Sequence, residues 1–195
     1  MTEDKKTLSV YDAEADAYEK RVAEKSSPGL NAFLKHLPAN SHVLDLGCGP
    51  GLSAVAMQTA GHTVDAVDGS AAMVARACAN GVPARQALFS DIDTTNRYDG
   101  IWANFSLLHL PRSEFKPTLA RLHITLRAGG LFHIGMKLGE GEGRDRLERF
   151  YTYYQPDELE AALTESGFTP LSRTHGSGRG LEGSISDWMV VLAHG

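Results

Sequence analysis

Residues Val43 to Gly51 read VLDLGCGPG, an apolar run closed by three glycines and a proline. Val43, Leu44 and Leu46 have the pattern of a short buried strand, and Gly47 to Gly51 that of a turn leading into a helix. Glycine admits positive φ and lets a ligand come close to the backbone. The first amides of the following helix point outward unpaired, toward polar ligand atoms. The stretch therefore predicts a strand, a glycine turn and a helix start that together cradle a cofactor.

Outward from that stretch, strands and helices alternate. Upstream, VYDAEADAYEKRVAEK (Val10 to Lys25) predicts one amphipathic helix with Tyr11, Ala15, Tyr18 and Val22 on a single stripe. Downstream, Leu52 to Ala60 predicts a helix closed by Gly61, and HTVDAVD a second strand ending at Asp68. Ser70 has the character of an N-cap for AAMVARACAN, which stops at Gly81. ARQALFS, YDGIWANF and GLFHIGMK follow as strands, with a helix through LARLHITL before the last of them. PDELEAALTES is a further helix with Pro156 near its first turn, and strands near Thr169 to His175 and Asp187 to Ala193 complete the sheet. LGEGEG and HGSGRGLEGS are expected to be a flexible run and a mobile loop. The whole reads as one α/β domain over residues 1–195, built as a parallel βαβ series.

Composition bounds the function. At 195 residues with a net charge of -5, the chain has no broad basic field, which argues against unaided binding of bulk nucleic acid or an anionic membrane. Cys48 and Cys78 are the two cysteines, too few and too separated for a disulfide frame or a structural zinc site, and a reducing cytoplasm fits. The eight histidines show no metal spacing, so no metal is assigned. The opening MTEDKKTLSV is polar and no apolar run approaches the ~18 residues of a membrane span, so neither signal peptide nor anchor is expected.

The glycine turn departs from a dinucleotide fingerprint, because the sixth position from Gly47 is Leu52. Asp68 lies 21 residues beyond Gly47, at a strand end where a carboxylate accepts ribose hydroxyls. Glycine turn plus ribose acid points to an adenosyl ligand. Through VLDLGCGPG, VDAVDGS, YDGIWANFSLLHLP and LRAGGLFHIGMK, the chain resembles the class I S-adenosylmethionine-dependent methyltransferases over roughly Val10 to Phe168, in their small single-domain form. The resemblance implies a Rossmann-like, doubly wound, mostly parallel seven-stranded sheet with a final antiparallel strand and helices on both faces. It implies that Gly47, Cys48 and Gly49 offer backbone to the methionine moiety while Asp45 orients its ammonium. Asp68 takes the ribose beside Gly69 and Ser70, and Met73 either covers the adenine or is plain core. Ala103 and Asn104 end the strand nearest the cofactor. Where the family often carries an acid for the adenine amino group, this chain has Leu88. That contact falls either to backbone near Leu88 and Phe89 or to Asp91 in a shifted register.

The same likeness implies a leading lid within residues 1–28, with Tyr11 and Tyr18 facing in and Arg21 meeting the cofactor carboxylate, the alternative being helix packing and a solvated arginine. A sulfonium is already activated for displacement, so alignment and exclusion of water are the enzyme's main tasks. His109, in ANFSLLHLP, is the candidate base or acceptor-positioning group, or else a histidine that only bonds its loop. Phe105, Arg144 and Tyr151 are candidates for the acceptor pocket. Leu147, Phe150, Tyr151 and Tyr154 recur at helical spacing, as core or as substrate wall. Weaker likenesses run to tellurite-resistance and tRNA wobble-uridine methyltransferases. The expectation is methyl transfer from S-adenosylmethionine to a small-molecule acceptor. A nicotinamide-dependent oxidoreductase, a tRNA-modifying enzyme working with a partner, and a non-catalytic cofactor-binding module are the alternatives.

Overall fold

The apolar run opens as β1 (His42–Leu46), buried on both faces as the middle of a parallel sheet requires. It pairs in parallel with β2 (Thr63–Asp68) on one side and β4 (Tyr98–Asn104) on the other. The computed structural model describes residues 4–23, 26–92 and 95–195. With β3 (Ala84–Gln86), β5 (Leu126–Lys137), β8 (Thr169–Arg179) and β9 (Ile185–His194), the strands form a seven-stranded sheet ordered β3-β2-β1-β4-β5-β9-β8. Only β9 runs against the others, pairing antiparallel with β5 and β8. The chain reverses its direction of travel across the sheet between β1 and β4. A crevice therefore opens beyond the C-terminal ends of β1, β2 and β4.

Helices cover both faces. α3 (Leu30–His36), α4 (Leu52–Thr59) and α5 (Ala71–Ala79) bury Phe33, Ala54, Met57 and Ala77 against one face. α6 (Arg112–Thr125) and α7 (Pro156–Glu165) bury Phe115, Leu119, Leu159 and Leu163 against the other. Among the described residues no helix is long and apolar enough to cross a membrane.

Five local expectations are revised. The upstream helix is two, α1 (Lys5–Ala13) and α2 (Ala15–Ala23), hinged at Glu14. It begins early because Asp4 caps it, accepting from the Thr7 amide at 2.8 Å and the Thr7 hydroxyl at 2.7 Å. Glu24 and Lys25 of the expected helix, and residues 1–3 of the expected lid, lie outside the described residues. α3 carries no strong periodic signal and is held by Phe33 packing on Trp102. β3 stops at Gln86 because the Asp91 carboxylate accepts from the Leu88 amide (2.9 Å) and winds Phe89–Asp91 into a 3-10 turn. The expected flexible run and the expected aromatic helix instead pair as β6 (Glu142–Arg144) and β7 (Phe150–Thr152). The glycine-rich loop is the far half of the β8–β9 hairpin. Gly176 is required there because a Cβ would stand 2.2 Å from the Trp188 ring lying across it.

Candidate active site

At the end of β1 the glycine turn is tied to β2, with the amides of Gly47 and Cys48 both donating to the Val67 carbonyl at 2.9 Å. Gly47, Gly49 and Gly51 have φ of +78°, +54° and +81°. Their reasons differ. A Cβ on Gly47 would strike the Ser106 side chain at 2.4 Å, so the missing side chain makes room for packing, while the backbone of Gly47 borders the crevice. At Gly49 a Cβ would face only Tyr18, at 3.5 Å across the crevice. Gly49 is the glycine that keeps the cradle open.

Two carboxyls flank it. Asp68 accepts from the Gly49 amide at 2.8 Å and from the Ser70 amide at 2.9 Å, one donor for each oxygen. Burial nevertheless pushes its pKa up, against the pull of those two amides and that of Gly69. Asp45 is 2% exposed and its Oδ2 has no hydrogen-bond partner. Burial, reinforced by the charge of Asp68, raises its carboxyl to about 8. A buried carboxyl without a donor is costly, and a ligand ammonium beside it would supply the missing one. A diol can in turn donate to Asp68.

The crevice has two chambers that meet at Tyr11, Tyr18, Gly47, Gly49, Asn104 and Phe105. The smaller, about 80 Å³, is lined by Leu8, Asp68, Gly69, Met73, Leu88 and Phe89. The larger, about 330 Å³, is lined by Arg21, Asp45, Trp102, Lys137, Arg179 and Trp188, with Tyr151 on the same wall. Phe105, at the junction, holds a φ of +57°, a conformation that a bulky residue adopts at a cost and that is often kept at ligand sites.

α1 and α2 close over this crevice through a polar chain. His109 Nδ1 lies 2.6 Å from the Phe150 carbonyl and therefore carries the proton, leaving Nε2 to accept from the Tyr11 hydroxyl at 2.8 Å. Tyr11 accepts in turn from Arg149 Nη1 (3.0 Å), and Arg149, 2% exposed, pairs with Asp145 at 2.6 Å. Asp12 accepts from the Ser70 hydroxyl (2.6 Å) and the Ala72 amide (3.1 Å), and Arg76 pairs with Asp16 and Glu19.

Residues 43–130 match the family of the methyltransferase domain. The trans-aconitate 2-methyltransferase of Deinococcus radiodurans is 30% identical over 167 residues, covering 83% of this chain and 61% of that protein. The carboxy-S-adenosyl-L-methionine synthase of Geobacter metallireducens is 30% identical over 154 residues, covering 65% of this chain and 60% of that protein. The 1,6-didemethyltoxoflavin-N1-methyltransferase of Burkholderia thailandensis, solved with its substrate and S-adenosylhomocysteine, superposes with a TM-score of 0.74 at 25% identity, covering 96% of this chain and 87% of that one. The chain belongs to the class I S-adenosylmethionine-dependent methyltransferases. It spans about three fifths of the length of the two curated relatives named here.

Within this methyltransferase fold most residues singled out from sequence meet at the crevice, and some do not. Leu88 and Phe89 line the smaller chamber, whereas Asp91 closes its own turn. Met73 is 1% exposed, packed in the interior with an edge on that chamber. Ser70 is fully buried, its hydroxyl capping α5 by accepting from the Met73 amide (3.1 Å) while donating to Asp12. Ala103 is buried within β4 and borders neither chamber. Arg144 stands outside, paired with Asp4 (2.8 Å) and bonded to the Glu148 carbonyl (2.7 Å), so the pocket role expected of it finds no geometry. His109 borders the smaller chamber with both ring nitrogens engaged, and burial lowers it to about 3. That placement suits a positioning group and not a base. Sequence reading missed Asp12, Lys137, Arg149, Arg179 and Trp188. Lys137 had a signal, since it ends a parallel strand at the ligand-binding edge. Asp12 depends on how α1 lies against α5, and the rest on how the hairpins fold back.

Proposed function

We propose that the protein transfers a methyl group from S-adenosylmethionine to a small-molecule acceptor. The observation that carries this reading is the orphaned Asp45 oxygen, buried beside a glycine cradle with Asp68 a strand away. When bound, the cofactor supplies a methyl carbon activated by a sulfonium, and what the chain must do is hold and align it. Asp45 receives the ammonium, the Cys48–Gly49 backbone lies along the methionine chain, and Arg21, which makes no ion pair with a described residue, meets the carboxylate. Asp68 accepts from the ribose hydroxyls with Gly69 alongside, and Met73, Leu88 and Phe89 flank the adenine in the smaller chamber. Asn104 and Phe105 form the passage between donor and acceptor. α1 and α2 serve as a lid, latched by Tyr11 to His109 and by Asp12 to α5. Tyr11 and Tyr18 wall off water, which would otherwise compete and screen the charges that orient the reactants.

Calorimetric titration with S-adenosylhomocysteine tests the donor half. Binding at roughly micromolar Kd is expected, about -8 kcal/mol, with none for NAD. Release of S-adenosylhomocysteine across a panel of small acceptors tests turnover. NAD binding without a response to S-adenosylhomocysteine would end the reading.

A further inference from the structure

The larger chamber carries positive charge without matching acids. Lys137, half-buried at the end of β5, rests 4.1 Å from the centre of the Tyr151 ring. No described residue gives it a hydrogen bond or an ion pair, and Glu182 and Asp145 act on it only from a distance. Burial and the nearby charges of Arg149 and Arg21 disfavour its charged form, which is the situation of a cation lacking its anion. Arg179 reaches the same chamber from β8, with one N–H on the Gly183 carbonyl at 2.7 Å. Among the described residues lining this chamber the only carboxyl is Asp45, which lies at the glycine turn and is assigned to the cofactor's ammonium in the reading above. Trp188, edge-on to Phe105 at 6.0 Å, gives this end a flat apolar wall.

Resting on the methyl-transfer reading above, we propose that the acceptor is a small planar organic anion, a carboxylate or comparable oxyanion, anchored by Lys137 with Arg179 at the rim and its body against Trp188. A second observation supports this independently of the cations. The described lining of the chamber contains no histidine, and its three tyrosines, Tyr11, Tyr18 and Tyr151, are all held in their protonated form by burial. A site so short of bases suits an acceptor that arrives with its electron pair already free and no proton to lose. An anion there also offsets the charge of the sulfonium beside two protein cations in a cleft that excludes water.

Benzoate and benzamide share a shape and differ in charge, so they probe the proposal directly. Each is titrated by NMR into protein saturated with S-adenosylhomocysteine, at low chloride. Benzoate is expected to bind at least about tenfold more tightly than benzamide. Lys137→Met, which keeps the length and removes the charge, should abolish that preference while S-adenosylhomocysteine affinity stays within about twofold. Lys137→Arg should restore part of it. A wild type that binds both probes alike, or neither, overturns the proposal, as does a preference that survives in Lys137→Met. If S-adenosylhomocysteine itself fails to bind, the donor reading falls and this one with it.

Discussion

The donor half of the crevice and its acceptor half are built on different principles. Asp45, Gly47, Gly49, Asp68 and Gly69 come from two adjacent parallel strands and the turns that follow them, and backbone amides fix their geometry. Lys137, Tyr151, Arg179 and Trp188 come from β5, β7, β8 and β9, and only the register of the hairpins brings them together, with Lys137 opposite Trp188. A ligand of fixed shape can be held by main chain and two acids, which a short local sequence encodes. An acceptor that varies among relatives is held by side chains on elements that can change without disturbing the sheet.

That contrast predicts the largest effects on the donor side. Asp68→Ala should weaken S-adenosylhomocysteine binding by about thirty- to a thousandfold, since two charge-assisted hydrogen bonds at a mostly dry site are worth on the order of 2 to 4 kcal/mol. It should also lower the melting temperature, because the Gly49 and Ser70 amides lose their acceptor. Asp68→Asn, which keeps one oxygen, should fall between. Unchanged affinity in a folded Asp68→Ala protein would show that the two halves do not divide as described.

The next effect is read by pH. The Asp45 carboxyl, raised to about 8, holds a proton that the unfolded chain releases near pH 4. Its contribution to ligand-free stability is therefore fully present below pH 4 and lost as pH rises toward about 8. Over that range Asp45→Asn should gain stability relative to wild type in thermal melts. A bound ammonium favours the ionised carboxylate, so S-adenosylhomocysteine affinity in the wild type should rise by up to about tenfold per pH unit between about pH 6 and 8. The slope should vanish in Asp45→Asn. A flat wild-type profile would leave the Asp45 orphan without the partner assigned to it.

The same division governs what the sequence could reveal. β1, β4 and β5 were legible because a strand buried on both faces reads as a largely apolar run, β2 because Val64, Ala66 and Val67 carry its apolar positions, and α5 because Ser70 is a working N-cap. The hairpins were not. The spacing of Phe150, Tyr151 and Tyr154 fits a helix, yet the ladder to β6 and the cations on either side of Tyr151 decide its strand, and neither is visible locally. In the β8–β9 hairpin Gly176 looked like loop composition and is in fact the clearance for Trp188. On the donor side Asp45, Gly47, Gly49 and Asp68 all follow a motif, while Lys137 and Arg149 needed the tertiary contacts to be noticed at all.

His109 sharpens the comparison at its boundary. If it positions Tyr11 and does not move a proton, His109→Asn should lower kcat by less than about tenfold, where loss of a general base costs about a hundredfold or more. The pH profile should keep its shape. Tyr11→Phe should mimic it, leaving His109 Nε2 and one Arg149 N–H unmatched at a cost of about 1 to 2 kcal/mol, a fall of about 2 to 8 °C in Tm. A hundredfold loss in His109→Asn together with loss of a pH limb would return the base to this position.

The smallest effect belongs to Arg144, which sequence alone places in the acceptor pocket and the fold places on the outer surface. Its guanidinium grips both oxygens of Asp4, at 2.9 and 2.8 Å, and so ties the cap of α1 to β6. That hydrogen bond is the main reason the Asp4 carboxyl is held well below the usual carboxylate range. Arg144→Ala should therefore leave S-adenosylhomocysteine affinity and acceptor KM within about twofold, because Arg144 lines neither chamber and its exposed pair with Asp4, at the edge of the smaller one, contributes little to binding. Any loss should appear in the melting temperature at neutral pH. A carboxylate whose folded pKa is depressed stabilises above its unfolded value, so the difference between variant and wild type should begin to shrink as pH falls below about 4 and should also shrink in high salt. A rise in acceptor KM that persists at acid pH would instead mean that the β6–β7 hairpin turns inward during turnover and that Arg144 belongs to the acceptor half after all.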